Sequence, residues 1–518
     1  FSNYNYNYDI IIIGGGISGL FLAYKLLPTD LKVIVFEGNK QLGGRIKTIE
    51  KNGSYFEAGA ARIHSSHGKV ISLIHDLDLR NDLVRLPEKI DIHLRGKNKD
   101  YTYGTKWKKM DPFFLLKTSL DSEDSFEDKE LQRITFFQYL VLVFDHETAL
   151  YIKDSFGYDS EFVELNAYAA IKMFKHDLFG DNHYYILKNG MSQLINKMER
   201  ELLINGTIIK KGVTIKNIDN TFITTEKNEK FFFNNLICAI PKNSLSKFPI
   251  FKDIELINSV NSQPLLRIYA KYPSNNVWFK NINRTTTDNY IRHIIPIDPN
   301  SGLIMISYVD GKITEYWNSY YSLGEKYLIK ALHKEIEDIY NITPPDPEFI
   351  SVHFWKDGLH TWNIGEDSIK IQKDILKPFK NKEIYICGEA YSLKQGWIEG
   401  ALETCHDILH MLPPLKYYQK VKYEFECESV SPNFEIKDVK KDKKVVKDKK
   451  VVKDKKVVKD KKSKKLVKDK EVVKDKELIK DKEVKKPKET ILKLDDVLEE
   501  DEWIILEVNG KKNVYDIS

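Results

Sequence analysis

Apolar positions in the first 62 residues fall into three short blocks. Tyr8 to Ile13 is largely apolar, Ile17 to Leu27 spaces its apolar residues as a helix does, and Leu31 to Glu37 alternates. The pattern predicts strand, glycine turn, helix and second strand, with Pro28 closing the helix. From Val70 to about Met173 the spacing is mainly helical and predicts a separate helical lobe, in which the acidic, Ser-rich stretch Ser119 to Lys129 reads as a loop. Asn189-Gly190-Met191 opens another helix, and Thr207 to Ile240 reads as a strand meander ending at Pro241. Leu266 to Tyr272 and Leu303 to Tyr308 are strand-like and suit the floor of a pocket. Ile384 to Cys387 reads as a short buried strand, followed by a helix from about Gly396 to Leu412 that stops before Pro413-Pro414.

After residue 436 the chain repeats the hexad Val-Val-Lys-Asp-Lys-Lys, later Val-Val-Lys-Asp-Lys-Glu. Six residues advance about 600° around a helix, so the apolar pairs never build one face. Residues 437–489 therefore read as a disordered, solvated tether. Within 490–518, Trp503 to Val508, then Asn509-Gly510, then Lys511 to Ile517 carry the chain's best short hairpin signal. Such a hairpin needs a partner surface to be stable.

A length of 518 residues, 42% hydrophobic, accommodates two packed domains and a large buried cofactor. The net charge of +5 conceals an asymmetry, because residues 437–489 hold 25 lysines against 12 acidic residues while 490–518 hold 3 lysines against 8. The body before them is about 3 negative, so it carries no nucleic-acid signature, and only the tail offers a weak, salt-sensitive attraction to anionic partners. Cys238, Cys387, Cys405 and Cys427 lie far apart with no CxxC or metal spacing, which predicts neither disulfide nor zinc, and a reducing, cytoplasmic setting. The apolar runs Ile10 to Ile13 and Phe136 to Phe144 are too short to span a bilayer, and no signal peptide is visible. Abundant Asn, Lys, Ile and Tyr fit an AT-rich genome such as a protist's or a large DNA virus's, in which case packaging in a virion is an alternative location.

Gly14-Gly15-Gly16-Ile17-Ser18-Gly19 gives the GxGxxG spacing directly after a strand and at the start of a helix. Glycines there let backbone amides and the positive helix end meet a pyrophosphate, and Glu37 at the end of the second strand is placed to accept ribose hydroxyls. This fingerprint alone leaves FAD and NAD open. Leu42-Gly43-Gly44-Arg45 follows, where Arg45 can reach the same phosphates with a bidentate fork. Glu57-Ala58-Gly59-Ala60-Ala61-Arg62 brings a further glycine-containing stretch.

With these blocks, with Gly190-Met191-Ser192-Gln193-Leu194, and with Ile384 to Glu389 through Gln395 to Ala401, the chain resembles the FAD-dependent amine oxidases over roughly its first 412 residues. Within them it is most similar to the L-amino-acid oxidases. The resemblance implies an α/β fold: a discontinuous Rossmann-like FAD-binding domain of residues 1–62, 186–245 and 375–412, and an interleaved α+β substrate domain with the helical lobe in 63–185 and 246–374. Residues 413–436 would be a connector. Gly14, Gly16, Ile17, Ser18, Gly19, Glu37, Arg45, Gly59, Ala60, Ala61, Arg62, Ile215, Gly388, Glu389, Gly396, Trp397, Ile398, Glu399, Gly400 and Ala401 fall on cofactor-contacting positions. Relatives that attach FAD covalently use a cysteine shortly before the last block, whereas His360-Thr361-Trp362-Asn363-Ile364-Gly365 has none, so the flavin should be held non-covalently.

For substrate, Arg62 matches an arginine that clamps a carboxylate; the alternative is pairing to a structural carboxylate. His67 matches a histidine that follows it, Trp397 an aromatic beside the flavin, and Trp362 and His360 would be wall residues from the preceding loop; each could equally be packing. Two departures stand out. Arg267 occupies the place of a lysine that holds a water near flavin N5, which would slow reoxidation by dioxygen. The carboxylate-gripping tyrosine is replaced near His293-Ile294-Ile295-Pro296, with Tyr290 as the substitute. The expectation is an oxidase of an amine or L-amino acid that gives imine and hydrogen peroxide, in a chain that could pair as a homodimer. The rivals are a polyamine or primary amine oxidase, and a flavin-binding interaction protein without turnover.

Overall fold

The computed structural model describes residues 6–412 apart from 88, 95–109 and 179–182, and the backbone of 503–508 and 511–516. The expected connector, the Lys-rich repeats and Cys427 lie outside the described residues. The chain divides into two units, Phe1–Glu428 and Ser429–Ser518.

In the first unit, Tyr6–Ile13 pairs in parallel with Val33–Glu37 on one side and Lys230–Cys238 on the other. Ile208–Lys211 extends the sheet beyond the former and Ile384–Ile386 beyond the latter, again in parallel. The near-continuous apolar runs of the central strands suit burial on both faces, and the strand order is that of a Rossmann-like fold. The meander expectation holds only for its middle. Ile215–Ile218 and Phe222–Thr225 do run antiparallel, but Ile208–Lys211 and Lys230–Cys238 join the parallel sheet, because Phe231, Leu236 and Ile237 are buried in its core. Helices Ile17–Leu26, Ser192–Ile204 and Ile398–Met411 share that core through Leu20, Leu194 and Leu402.

A six-stranded sheet runs in the order Phe349–Trp362, Val260–Lys271, Leu303–Asp310, His293–Asp298, Arg284–Thr287, Ile90–His93. Helices Ile313–Leu323 and Glu325–Tyr340 cover one face around buried Trp317 and Leu332. The helical lobe is present as Pro112–Leu120, Phe136–Val143, His146–Phe156 and Ala167–Leu178.

Three expectations need correction. The lobe is interrupted by strands Leu83–Arg85 and Ile90–His93, the latter paired with Arg284–Thr287 in the six-stranded sheet. The supposed loop 119–129 carries a helix end, a 3-10 turn at Glu123–Ser125 and the start of Asp128–Leu131, whose Glu127–Glu130 capping box satisfies the backbone locally. His360 and Trp362 sit not in a loop but at the end of the 14-residue strand Phe349–Trp362, which a bulge near Gln263 and Leu265 lets run on across its partner. In the second unit, Trp503–Val508 and Lys511–Asp516 form an antiparallel hairpin with Val508 opposite Lys511.

Candidate active site

The glycine motif divides its labour in a way that can be read from what a side chain would meet. Gly14 has φ +113°, and a Cβ there would strike the Ala239 carbonyl oxygen at 2.3 Å. A Cβ on Gly19 would lie 1.9 Å from the Gly14 carbonyl oxygen, so that position serves helix-to-strand packing. At Gly16 the same Cβ meets nothing within 4 Å. Gly16 starts helix Ile17–Leu26 with no side-chain cap and no acidic residue in the first turn, so no side chain competes with a phosphate for the positive helix end. A pyrophosphate fits this open cradle.

The flanking blocks close around it. Gly43 N–H donates to the Gly15 carbonyl at 2.8 Å, and Ala60 N–H to the Arg45 carbonyl at 2.9 Å. A Cβ on Gly59 would lie 1.9 Å from that carbonyl oxygen, so only glycine lets the two loops meet. Glu37 is buried; one oxygen accepts from Gly15 N–H and the other from Asn39, both at 2.8 Å, which fixes the carboxylate beside the cradle. Ile215 is buried on the antiparallel extension.

Arg45 and Glu389 are brought together from far apart in the chain. Arg45 Nη1 donates to Glu389 Oε1 at 2.5 Å, His360 Nδ1 lies 2.6 Å from the same oxygen, and Gly396 N–H donates to Oε2 at 2.9 Å. Burial pushes the Glu389 carboxyl up, but Arg45, His360 and the amide outweigh it and hold it well below the usual range. Arg45 is therefore oriented by a carboxylate, with its side chain still 29% exposed. Glu399 does another job: its two oxygens accept from Lys69 and Val70 N–H at 3.0 and 2.9 Å, capping helix Gly68–Asp76. Burial raises its pKa. Gly388 and Gly396 keep positive φ, Ser18 and Ile398 are buried, and Gly400 and Ala401 lie in the first turn of helix Ile398–Met411.

A second cluster lies around Arg62. Its Nη2 donates to Tyr158 Oη at 2.7 Å, and its guanidinium lies 5.2 Å from the Tyr184 ring centroid. Tyr184 also stacks on half-buried Trp397, centroids 6.3 Å apart, while the His67 ring meets Trp397 edge-on at 4.8 Å. Tyr184 thus links Arg62 to Trp397, which in turn meets His67. Burial opposes the Arg62 charge, yet Tyr158, Tyr184 and Tyr308 raise its pKa overall. His67 is neutral, pushed well below its ordinary value by burial and then by His64.

Other expected residues are elsewhere. Tyr290 is 48% exposed and stacks on Tyr316 at 4.3 Å; its side chain points to the surface, and Tyr158 grips Arg62 instead. Trp362 is fully buried with its indole N–H donated to the Ser392 carbonyl at 3.1 Å, so it is packed core. Arg267 is buried, donates to the Glu57 carbonyl at 3.0 Å and lies 4.5 Å from the Tyr308 ring. Sequence reasoning missed Tyr158, Tyr184 and Tyr308. The signal for Tyr158 was Gly157, whose φ of +86° ends helix His146–Phe156 and turns the next residue inward.

A Rossmann-like sheet with an open glycine cradle defines a dinucleotide-binding protein. The chain belongs to the flavin containing amine oxidoreductase family, whose model matches residues 17–406. FAD is its cofactor, with Gly16, Glu37 and the first turn of Ile17–Leu26 placed to hold it. An uncharacterised protein of Acanthamoeba polyphaga mimivirus is 23% identical over 505 residues, covering 79% of this chain and 94% of that protein. Amine oxidase A of Equus caballus is 32% identical over 92 residues, 18% of each chain. A solved putrescine oxidase variant shares the fold at TM-score 0.64 and 15% identity, over 79% of this chain and 99% of that one. Among the described residues no helix is long and apolar enough to cross a membrane, and no cluster of metal-ligating side chains is present.

Proposed function

We propose that the chain is an oxidase of α-amino acids. A hydride leaves the carbon bearing the amino group, the imine hydrolyses to a carbonyl compound and ammonia, and dioxygen takes up the electron pair as hydrogen peroxide. FAD, when bound, supplies the hydride acceptor. The chain's own part is placement. Arg62 binds the carboxylate, and Tyr158 fixes its fork. Tyr184 and Trp397 flank the amine and exclude water, and neutral His67 puts no competing positive charge beside it.

The observation that carries this reading is that Arg62, held between two tyrosines, has no carboxylate within ion-pair distance among the described residues. A diamine substrate of the kind the putrescine oxidase neighbour's name states would meet cations where it needs anions. The test is hydrogen peroxide release by the purified FAD-loaded protein across L-amino acids, putrescine, spermidine and simple amines. Release with amino acids supports the reading. Release with diamines alone overturns it, and a yellow protein inert to every amine points to a binding role without turnover.

A further inference from the structure

Three arginines converge on the site, and the fold treats them differently from the arginine next door. Arg292 is buried and neutralised by Asp159 at 2.8 Å and Asp154 at 3.6 Å. No ion pair is formed by Arg62, Arg267 or Arg284 among the described residues. The carboxylate of Glu57 interacts electrostatically with Arg267 but forms no ion pair with it, its Oε1 accepting instead from Met191 N–H at 2.7 Å and from Thr48 Oγ1 at 3.0 Å.

Arg284 stands on strand Arg284–Thr287, where residues 284 and 286 share a face. Thr286 Oγ1 lies 3.2 Å from His293 Nδ1, and the His293 ring lies 4.4 Å from the ring of Tyr158, the hydroxyl partner of Arg62. Tyr158 in turn lies 5.3 Å from Tyr308, the ring under Arg267. The Nε atoms of Arg267 and Arg284 are buried without a hydrogen-bond partner, as is that of Arg292, so the ion pairs and not this atom set Arg292 apart. Burial and then repulsion from Arg62 lower the Arg284 pKa. Tyr158 between them supplies no negative charge, since burial pushes it up to about 12.

Arg267 is buried and Arg62 and Arg284 are half-buried, and cations so withdrawn from water without counter-ions are costly unless a ligand brings the charge. One carboxylate on Arg62 leaves the others uncompensated. We infer that the site binds a second anionic group at Arg284, with Arg267 adding its charge, so that the substrate is an α-amino dicarboxylate. This rests on the amino-acid oxidase reading above and narrows it.

The test compares matched pairs on the holoenzyme. Anaerobic bleaching of the bound flavin is followed with L-glutamate against L-glutamine and L-aspartate against L-asparagine, in the unsubstituted protein and in Arg284→Gln. Binding is read separately by thermal shift with glutarate against butyrate, which needs neither turnover nor the variant. The expected result is a preference of about 50-fold or more for at least one acid over its amide, collapsing to about 3-fold or less in Arg284→Gln, with stabilisation by glutarate only. Amides that match their acids, with no glutarate shift, overturn this inference and leave the amino-acid reading intact. Bleaching by putrescine and by no amino acid overturns both.

Discussion

The hydroxyl of Tyr158 accepts a hydrogen bond from Arg62 Nη2 at 2.7 Å, across 96 residues of sequence. A hydrogen bond to a charged group contributes about 1.5–3 kcal/mol, and part of that is felt only when the arginine must hold a carboxylate in one orientation. Tyr158→Phe keeps the ring against His293 and removes the oxygen. The expected outcome is a rise of about 10-fold in KM for amino acids with FAD content unchanged. Loss of FAD with KM unaltered would mean that Tyr158 serves the fold and not the substrate.

Two glycines three residues apart should fail differently. A Cβ on Gly16 enters open space at the cradle, so Gly16→Ala folds normally and weakens FAD binding by about 10-fold or more. A Cβ on Gly19 collides with the Gly14 carbonyl, so Gly19→Ala costs about 1–3 kcal/mol of apoprotein stability. Thermal melting with and without FAD, plus a flavin titration, separates the two effects.

Acid should destabilise the fold earlier than carboxylate protonation alone predicts. His67 and His293 are buried and held neutral, both far below their ordinary value through burial, with neighbouring cations adding to the effect at His293. The unfolded chain protonates them near pH 6.5, so it binds more protons than the folded chain below that pH. Their contribution is complete above about 6.5 and is lost as pH falls toward the folded values, at up to about 1.4 kcal/mol per pH unit for each group. Denaturant midpoints measured between pH 7.5 and 5 should fall, and His293→Gln should flatten the slope. A midpoint constant across that window would contradict the assignment.

The flavin should be extractable. Cys238, Cys387 and Cys405 are buried; burial pushes the Cys238 thiol well above its ordinary range, and a hydrogen bond with Cys405, then burial, does so for Cys387. Denaturation followed by ultrafiltration should move the yellow colour entirely into the filtrate. Colour retained by the polypeptide would show a covalent link.

Legibility followed chain distance. The cofactor cradle was readable because Gly14 to Gly19, Glu37 and Arg45 lie within one strand–turn–helix–strand unit, where local steric rules decide the outcome. Arg62 and His67 come from one segment, and Tyr184 and Trp397 join them in one cluster. Tyr158 was not, because it is delivered by the end of a helix whose inward turn depends on Gly157 packing against His293 and Thr286, and no local spacing carries that. Tyr290 was chosen for its nearness in sequence to His293, yet the two point to opposite environments, one exposed and one fully buried. Strand Phe349–Trp362 stayed hidden because Lys356, Asp357 and Gly358 interrupt its apolar pattern at the bulge, and its side chains are mostly half-buried.

The central claim is that Arg62 takes the substrate carboxylate. Anaerobic flavin bleaching by the best amino acid and by its decarboxylated amine, compared in the unsubstituted protein and Arg62→Ala, tests it directly. Half-saturation by the amino acid should rise about 100-fold while the amine, already weak, changes by less than about 3-fold. An equal loss for both compounds, or no loss for the amino acid, would contradict it.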